Sequence, residues 1–553
     1  ESWHCSAVQA AMLALPRSLE DVGRVLGLDE QKMKEGKELI RYFCVPCKPT
    51  KANGGRARNL PCHAPEKWEL FKTYCKRDVD VEKSIRRKLH NFPIPESEME
   101  LYRLDQRIND RGVLVDMGLV EQAIACERLH KEVVTKRAYE LTGLENPNSV
   151  AQLKGWLGDM GMEAESLSKK AVAEMIAETD GEVEELLRLR LMLAKTSVKK
   201  YEAIERSACS DGRVHGMLMF YGANRSGRWS GKNVQLHNLP KNYLPDLELA
   251  RDLVKQGRFE DIELLYDSTP NVLSELIRTA FIPKPGCRFV VADFSAIEAR
   301  VLAWLSGEQW RLDVFTSHGK IYEASASSMF HVPMEEITKG SPLRQKGKLA
   351  ELGLGFGGAS GALISMGALD MGLTEEELPP LVAAWRKANP HITQFWWDVD
   401  AAAIKAVTEK QKTKVGKIIF EYKSGILFIT LPSGRKLSYV KPRMAVNRFG
   451  RDGLTYEGIS ENKKWSRIET YGPKLVENIV QGTARDLLAE AMLRVEKKGY
   501  PIVMHCHDEI IAEVPEGIGS VDEMCEIMAI QPKWAEGLPL RADGYSCSFY
   551  QKQ

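Results

Sequence analysis

The fold is decided near the end of the chain, by the stretch Ile502-Val-Met-His-Cys-His507-Asp508-Glu509-Ile-Ile-Ala-Glu-Val514. Apolar residues flank its tight polar centre, which predicts two short strands that meet at a His-Asp turn. A carboxylate on such a rigid, mostly buried support suits a hard cation. Because one carboxylate rarely fixes two ions, we expect a second strand-borne Asp elsewhere, with cationic groups nearby if the substrate is a polyphosphate. Taken alone, the stretch is more simply a solvated Asp in a hairpin turn.

A second carboxylate of the required kind lies far upstream. The apolar run Arg288-Phe-Val-Val-Ala-Asp293 ends in Asp, and a helical pattern from Ala296 to Leu305 follows it at once. We therefore predict a strand with Asp293 at its C-terminal end, beside the N-terminus of a helix.

Length and composition exclude several classes of protein. The 553 residues, 44% of them hydrophobic, suffice for several domains. The sequence contains no run of about 18 apolar residues, so we predict no membrane-spanning helix. The first residues, Glu1 to Cys5, carry no signal segment and do not start with Met, so we expect a fragment of a longer protein. Eleven cysteines without regular spacing predict reduced thiols in a cytosolic compartment.

Basic residues concentrate in two belts although the net charge is only +1. Nine Lys and Arg stand against three Asp and Glu from Lys195 to Lys241, and twelve against two from Lys405 to Arg451. The two belts have two equally good interpretations: they line the path of a bound polyanion, or they are solvated loops.

Periodicity predicts several further elements. Helical patterns occur at Ser18–Gly27, Trp68–Leu89, Leu119–Leu141 and Val183–Ile204. The last two belong to an elongated helical region, for which two interpretations remain: it lies along a nucleic-acid backbone, or it forms a solvated bundle. Asn146 to Ser149 predicts a helix cap, and Lys474–Lys498 another helix. Strands are predicted at Lys417–Tyr422, Ile426–Leu431 and Lys436–Val440.

A cysteine-rich loop near the N-terminus has two interpretations. Cys44 and Cys47 form a CxxC pair, followed by the adjacent pair Cys62 and His63. Zinc ligands are normally spaced, so we favour free thiols in a loop over a zinc site.

Three stretches together resemble motifs A, B and C of family A DNA polymerases, the DNA polymerase I family. They are Asp293-Phe-Ser-Ala-Ile-Glu298-Ala-Arg300, Arg344-Gln-Lys-Gly-Lys348 continuing to Gly353-Leu-Gly-Phe356-Gly357, and His507-Asp508-Glu509. Each motif is short, but all three in this order and at these separations are specific. The resemblance covers about residues 100–553, and the basic, Gly-rich insertion after motif B is similar to phage and prophage members.

The resemblance implies a two-metal centre. Asp293 and Asp508 would bridge two Mg²⁺ ions, for which Mn²⁺ substitutes, with the Phe294 carbonyl as a further ligand. Glu509 and Arg300 would support this geometry, and His507 would face the primer terminus.

The resemblance also implies a nucleotide site. Arg344 and Lys348, one helical turn apart, would hold the triphosphate, and Lys348 would protonate the leaving pyrophosphate. Without the resemblance, two basic residues at this spacing would simply be solvated side chains on one face of a helix. Phe356 would pack on the template base, and Leu352 replaces a common aromatic that bears on sugar discrimination. Glu298 would exclude the ribose 2′-hydroxyl, although a Glu in a first helical turn also favours the helix dipole.

Two further segments resemble parts of the family. Ser226-Gly-Arg228 and Gln235-Leu-His237-Asn238 are similar to the primer-template segment, in which Arg228 and Gln481 would read the minor groove. Gln235 and His237 depart from the commoner Asn and Gln. Tyr74-Cys-Lys-Arg-Asp78 matches the third motif of the 3′–5′ exonuclease domain, but nothing replaces the first two, so we predict no proofreading from this chain.

We therefore expect an α+β right-hand polymerase with an antiparallel palm sheet, helical fingers and thumb, and a partial RNase H-like exonuclease remnant. Its predicted parts are the remnant at 1–99, thumb at 100–205, palm at 206–305 and 440–553, and fingers with an insertion at 306–439. The implied partners are primer-template DNA and dNTPs, with no membrane, and the protein would be a monomer in a bacterial or phage-infected cytoplasm. An RNA polymerase, a reverse transcriptase or a non-catalytic nucleic-acid-binding subunit are the alternatives.

Overall fold

The computed structural model describes residues 4–29, 33–194, 198–266, 268–338 and 340–552. Its first part is helical: α1 (Ser6–Met12), α2 (Leu19–Val25), α3 (Gly36–Cys44) and α4 (Pro65–Lys88). As predicted, Ser18 caps α2 by accepting a hydrogen bond from the Asp21 amide. The described residues between 4 and 99 carry no strand, and the RNase H-like exonuclease remnant remains a prediction.

The second part is a group of helices with its own small core around Leu153, Leu157 and Leu187. Its elements are α5 (Glu96–Arg111), β1 (Val113–Val115), α6 (Met117–Thr142), α7 (Val150–Asp159), α8 (Lys169–Ala177), α9 (Gly181–Leu193) and α10 (Val198–Ser207). The predicted cap is confirmed at Ser149, whose hydroxyl accepts from the Gln152 amide. The helix predicted over Val183–Ile204 is instead split between α9 and α10, and Lys195 lies outside the described residues.

The central part mixes short strands and helices. It comprises β2 (Arg213–Val214), β3 (Leu218–Ala223), β4 (Arg228–Gly231), α11 (Leu247–Lys255), α12 (Phe259–Leu265), α13 (Thr269–Leu276), β5 (Phe281–Ile282), β6 (Cys287–Phe294) and α14 (Ile297–Ser306). The predicted strand that ends near Asp293 and the helix after it are thus confirmed as β6 and α14.

Helices dominate the next part: α15 (Gln309–Ser317), α16 (Ile321–Phe330), α17 (Pro342–Leu354), α18 (Ser360–Ser365), α19 (Leu378–Ala388) and α20 (Pro390–Thr408). Helices α16 and α17 pack closely at Gly347, where an added Cβ would stand 2.3 Å from the Tyr322 carbonyl oxygen. A glycine at this position lets the two backbones approach.

A six-stranded antiparallel sheet follows, in the order β12-β11-β10-β9-β8-β7. Its strands are β7 (Thr413–Val415), β8 (Ile418–Lys423), β9 (Ile426–Thr430), β10 (Lys436–Val446), β11 (Asp452–Ile459) and β12 (Trp465–Thr470). The three predicted strands are confirmed as β8, β9 and β10, whereas β11 and β12 were not predicted. The predicted boundary at 439/440 falls inside β10, so it divides one sheet.

The last part closes the sheet that carries Asp293 and Glu509. It comprises α21 (Gly472–Lys497), β13 (Ile502–Cys506), β14 (Glu509–Pro515), α22 (Val521–Ala529) and β15 (Ala542–Cys547). The antiparallel order is β13-β14-β6-β15, and Glu509 on β14 stands opposite Asp293 on β6. The predicted hairpin and the helix before it are confirmed, and the fold class is α+β.

One continuous core joins most of these parts. Helix α21 is buried along much of its length and packs among the sheet strands, α14 and α20. A separate cluster joins α1, α2 and α4 to Ile426, Phe428 and Val440 of the six-stranded sheet. None of the described helices is both long and apolar enough to cross a bilayer.

Candidate active site

The hairpin and its neighbouring strand bring three carboxylates together. His507 adopts a left-handed φ of 59° in the turn, which directs the chain from β13 into β14. The Phe294 amide donates to the Asp508 carbonyl oxygen at 3.2 Å, so the turn is joined to the end of β6. Asp293, Asp508 and Glu509 therefore meet at one edge of the sheet.

The Asp293 carboxyl is desolvated and lies beside two other carboxylates. Burial, the nearby Asp508 charge and Glu509 raise the pKa of Asp293 to about 8, although Lys552 opposes this. Among the described residues, the buried Asp293 Oδ1 has no hydrogen-bond partner. A desolvated carboxylate oxygen without a donor, beside a second carboxylate, fits a hard divalent cation.

Glu509 is surrounded by residues that lie outside every motif identified in the sequence. Tyr550 donates its hydroxyl to Glu509 Oε1 at 2.7 Å, and Arg278 donates to that hydroxyl oxygen at 2.9 Å. Lys552 Nζ lies 3.0 Å from Glu509 Oε2 and 3.5 Å from Asp293 Oδ2. Glu509 is fully buried. Its two oxygens are thus occupied by partners from the C-terminal segment.

Arg300 is buried beneath the loop that links β6 to α14. Its guanidinium donates to the carbonyl oxygens of Ser295 at 2.6 Å and Pro539 at 3.1 Å, and it lies over the Phe315 ring. Burial, with the nearby Arg541 charge, lowers the pKa of Arg300 to about 10. These contacts fix the backbone directly after Asp293, which is consistent with the predicted supporting role.

Four predicted residues line one cavity of about 300 Å³: Glu298, Leu352, Phe356 and Asp508. Tyr322, Arg311 and Glu351 complete its polar wall. Leu352 is 55% exposed on the last turns of α17. The cavity thus extends from the carboxylates to α17.

Two residues to which the sequence assigned different roles form an ion pair. Arg228 donates to Glu298 Oε1 at 2.7 Å, and both side chains are partly exposed. The proposed groove-reading cation therefore lies beside the proposed sugar-excluding carboxylate.

Helix α17 presents its basic residues differently. Arg344 is partly buried, donates to Glu323 at 2.7 Å and lies 5.5 Å from the Tyr322 ring centroid. Lys348 is exposed one turn later. Since Tyr322 also lines the cavity, α17 sets Arg344 at its margin. The predicted glycine-rich continuation leaves the helix after Leu354, and Gly357 has a left-handed φ of 77°.

The predicted primer-template residues fall in three places. His237 packs on His507, which shares a hydrogen bond of 3.2 Å with the His237 carbonyl oxygen. Gln235 has a left-handed φ of 58° and accepts from Lys200 at 3.3 Å, while Asn238 is exposed beside it. Gln481 lies on α21 and donates to Glu477 at 3.4 Å.

The two basic belts are not uniform surfaces. In the second belt, Arg435 is buried and pairs with Asp486 at 2.5 Å. In the first, Lys200 donates to the Val234 carbonyl oxygen at 3.0 Å. Part of each belt therefore stabilises the fold rather than offering free charge.

Tyr74, Asp78 and the cysteine-rich loop, the candidate residues near the N-terminus, have surroundings typical of structural residues. Tyr74 is buried against Gly36, where an added Cβ would stand 2.3 Å from its ring, and Asp78 lies one turn later on α4. All eleven cysteines are free thiols. Cys44 and Cys62 are exposed, and His63 accepts from the Leu60 amide at 2.9 Å.

Comparison with known proteins gives a consistent result. A family model described as DNA polymerase family A matches residues 121–543. The chain is 57% identical to a DNA polymerase of Bacillus phage SP02, over its whole length and 85% of that protein. It is 25% identical to DNA polymerase I of Pseudomonas aeruginosa and 26% to the thermostable DNA polymerase I of Thermus caldophilus, covering 44% and 43% of those proteins.

A solved structure shows the same fold. It is described as the POL domain of Pol1 from M. smegmatis in complex with DNA primer-template and dNTP. The two structures agree with a TM-score of 0.62 at 19% identity, over 98% of this chain and 81% of that one. From the family match and the phage relative together, we conclude that the chain belongs to DNA polymerase family A.

Proposed function

We propose that this protein is a DNA-directed DNA polymerase that adds dNTPs to a primer 3′-hydroxyl and releases pyrophosphate, in replication or repair. The observation that carries the proposal is the pair Asp293 and Asp508, held together at the edge of the sheet. Burial and the nearby Asp508 raise the pKa of Asp293 to about 8, as expected of two carboxylates that lie close enough together to bind the same cations.

The proposed metal ligands are Asp293, Asp508 and the Phe294 carbonyl. When bound, two Mg²⁺ ions supply charge stabilisation to the attacking and leaving oxygens of the displacement, and Mn²⁺ would substitute. Glu509 is proposed to support the site rather than to bind metal, since Tyr550 and Lys552 already occupy its oxygens.

The proposed nucleotide site is the cavity between the carboxylates and α17. Arg344 and Lys348 would bind the triphosphate, and Lys348, which is exposed one helical turn before the cavity-lining Leu352, would protonate the pyrophosphate. Phe356 would meet the template base. Glu298 would exclude a 2′-hydroxyl from the position that its carboxylate occupies, and its ion pair with Arg228 supports a fixed orientation.

The proposed DNA contacts are Arg228 and Gln481 for the minor groove, with Gln235, His237, Asn238 and His507 along the primer-template. Arg228 and Gln481 offer donors for the acceptors that every Watson–Crick pair presents there. His507 is held by His237, which supports a fixed position near the primer terminus.

Primer extension tests this proposal. With Mg²⁺, we expect the Asp293→Ala and Asp508→Ala proteins to extend a DNA primer more slowly than wild type by a factor on the order of 10³ or greater. Each variant loses a ligand that acts throughout the displacement. Asp543→Ala is the matched control, because Asp543 stands opposite Asp293 on β15 but pairs with Arg541 on the surface. Wild-type rates from both site variants would refute the proposal.

The same assay separates the alternatives. A DNA polymerase should use dNTPs on a DNA template, whereas preferred use of rNTPs would indicate an RNA polymerase and efficient copying of RNA a reverse transcriptase. A non-catalytic DNA-binding subunit would bind primer-template without extending it.

Two finer points belong to the proposal. We expect no proofreading from residues 4–99, supported by the burial of Tyr74 against Gly36; degradation of a single-stranded 3′ end that Asp78→Ala abolishes would contradict this. We also expect a monomer in a bacterial or phage-infected cytoplasm, in keeping with the phage relative. Light scattering of the purified chain measures the oligomeric state.

A further inference from the structure

The C-terminal segment enters the active site by a defined route. The Tyr550 amide donates to the Phe281 carbonyl oxygen at 2.9 Å. Asn242 then holds Lys552 from both sides: its side chain accepts from the Lys552 amide at 2.7 Å, and its amide donates to the Lys552 carbonyl oxygen at 2.9 Å. The backbone of this segment is therefore fixed independently of what the Lys552 side chain contacts.

The side chain of Lys552 ends among the catalytic carboxylates. Its ammonium lies 3.0 Å from Glu509 and 3.5 Å from Asp293, and the side chain is only 13% exposed. Such a position is costly for a lysine unless negative charge compensates for the lost solvation. Here two carboxylates supply that charge.

We propose that Lys552 is an internal counter-cation of the active site, whose ammonium competes with divalent cations for Asp293 and holds Glu509 outside the set of metal ligands. The inference rests on the proposed function and deepens it, because it makes metal affinity depend on a residue outside the three motifs. Lys552 acts through the carboxylates and is therefore a positioning residue.

Charge and geometry are contributed by different side chains, which makes the proposal testable. Lys552 supplies a positive charge, whereas Tyr550 supplies a neutral hydrogen bond to the other oxygen of Glu509. Removing the charge should strengthen cation binding. Removing the hydroxyl should leave the electrostatic competition in place.

The measurement is Mn²⁺ binding to the full chain, stripped of metal and free of DNA, from the loss of the free Mn²⁺ signal in electron paramagnetic resonance. Lys552→Met keeps the aliphatic stem and removes the charge. We expect it to bind Mn²⁺ at least about tenfold more tightly than wild type. This is the gain in affinity expected when one positive charge beside a divalent cation is removed, even where water screens the repulsion between them. Its melting temperature without metal should fall below that of wild type.

Three variants control the measurement. Lys552→Arg retains the charge, Tyr550→Phe retains the ammonium, and Lys533→Ala removes an exposed charge that forms no ion pair with Asp293 or Glu509. We expect all three to bind Mn²⁺ close to wild type, and Asp293→Ala to lose binding. A far-ultraviolet circular dichroism spectrum equal to that of wild type confirms that Lys552→Met is folded.

The outcomes are distinct. Equal or weaker Mn²⁺ binding by Lys552→Met overturns the inference, as does the absence of saturable binding in every variant, because competition needs a cation site. Failure of the wild-type chain to extend a primer would instead overturn the proposed function, whatever the Mn²⁺ titration gives.

Discussion

His237 lies in a cluster of histidines behind the hairpin turn, within 5.3 Å of the His507 ring and 6.1 Å of the His505 ring. Burial, with His507, Arg278 and Lys552 nearby, lowers the pKa of His237 to about 4. Its Nδ1 is buried and has no hydrogen-bond partner among the described residues. The folded protein thus keeps this imidazole neutral at pH values where an unfolded chain would protonate it.

This difference predicts a pH dependence of stability with a definite sign. The contribution of His237 is complete above the ordinary histidine pKa of about 6.5 and is lost as the pH falls toward 4. His237→Gln cannot be protonated, so it should reduce the loss in the free energy of unfolding between pH 7.5 and pH 5 by about 2 kcal/mol. Urea unfolding at both pH values measures it.

His90→Gln is the control, because His90 is exposed at the end of α4. The control should follow the wild-type pH profile. A His237→Gln profile that also follows wild type would show that His237 titrates normally in the folded protein.

Single residues differ in how well the sequence predicted them. Asp293, Asp508 and Glu298 were found because each lies in a short motif with a local reason for its residue type. Lys552 and Arg278 carry no such signal: one comes from the C-terminal segment and the other from a short turn before β5. Lys552 reaches Glu509, and Arg278 reaches the Tyr550 hydroxyl bound to it, only through the strand register and the path of the last residues, which local patterns do not encode.

At the scale of elements, the contact of α16 with α17 depends on Gly347. An added Cβ would stand 2.3 Å from the Tyr322 carbonyl oxygen and 3.0 Å from the Ala326 Cβ. Gly347→Ala should therefore force the helices apart, lowering the apparent free energy of unfolding by about 1–3 kcal/mol. Because Arg344 contacts Glu323 across this contact, the KM for dNTP should rise as well.

The matched control is Gly361→Ala on α18. An added Cβ there meets nothing within 4 Å, and alanine favours a helix over glycine. Urea denaturation and steady-state primer extension give both quantities. A Gly347→Ala protein as stable as Gly361→Ala, with an unchanged KM, would contradict the close helix packing.

Elements were predicted best where their periodicity was plain. Strand β6 has an apolar centre, the β13–β14 hairpin has apolar runs on both sides of its polar turn, and α21 has a long helical pattern. Strands β11 and β12 were missed because charged and polar residues interrupt them: Glu457, Arg467 and Glu469 lie within the two strands. Their pairing with β10 depends on tertiary context, which outweighs weak local propensity.

At the scale of the whole molecule, a buried ion pair joins α5 to α21. Arg485 donates to both oxygens of Glu98, at 2.7 and 2.8 Å, and its side chain is 1% exposed. Burial opposes ionisation, yet Arg485 holds the pKa of Glu98 below its usual range. Removing one partner leaves an uncompensated buried charge.

Glu98→Ala should therefore lower the apparent free energy of unfolding by about 3–5 kcal/mol. Glu96→Ala, on the same helix, is the matched control: Glu96 pairs with Arg103 at 2.7 Å, but on the surface, so its loss should cost less than about 1 kcal/mol. Thermal and urea unfolding compare the two variants. Equal losses would mean that the Glu98 pair is solvated in solution.

The division of the chain into parts was the least predictable feature. The predicted boundary at 439/440 falls within β10, and the six-stranded sheet continues through it. The strands of this sheet therefore lie partly in the predicted fingers and partly in the predicted palm, and only the pairing of β9, β10 and β11 reveals that they form one sheet.

The packing of α1, α2 and α4 on the six-stranded sheet has an evolutionary consequence. This segment covers Ile426, Phe428 and Val440. Its deletion would present these side chains to water and favour self-association. The solubility of the rest of the chain therefore depends on α1, α2 and α4, whatever chemistry those helices carry.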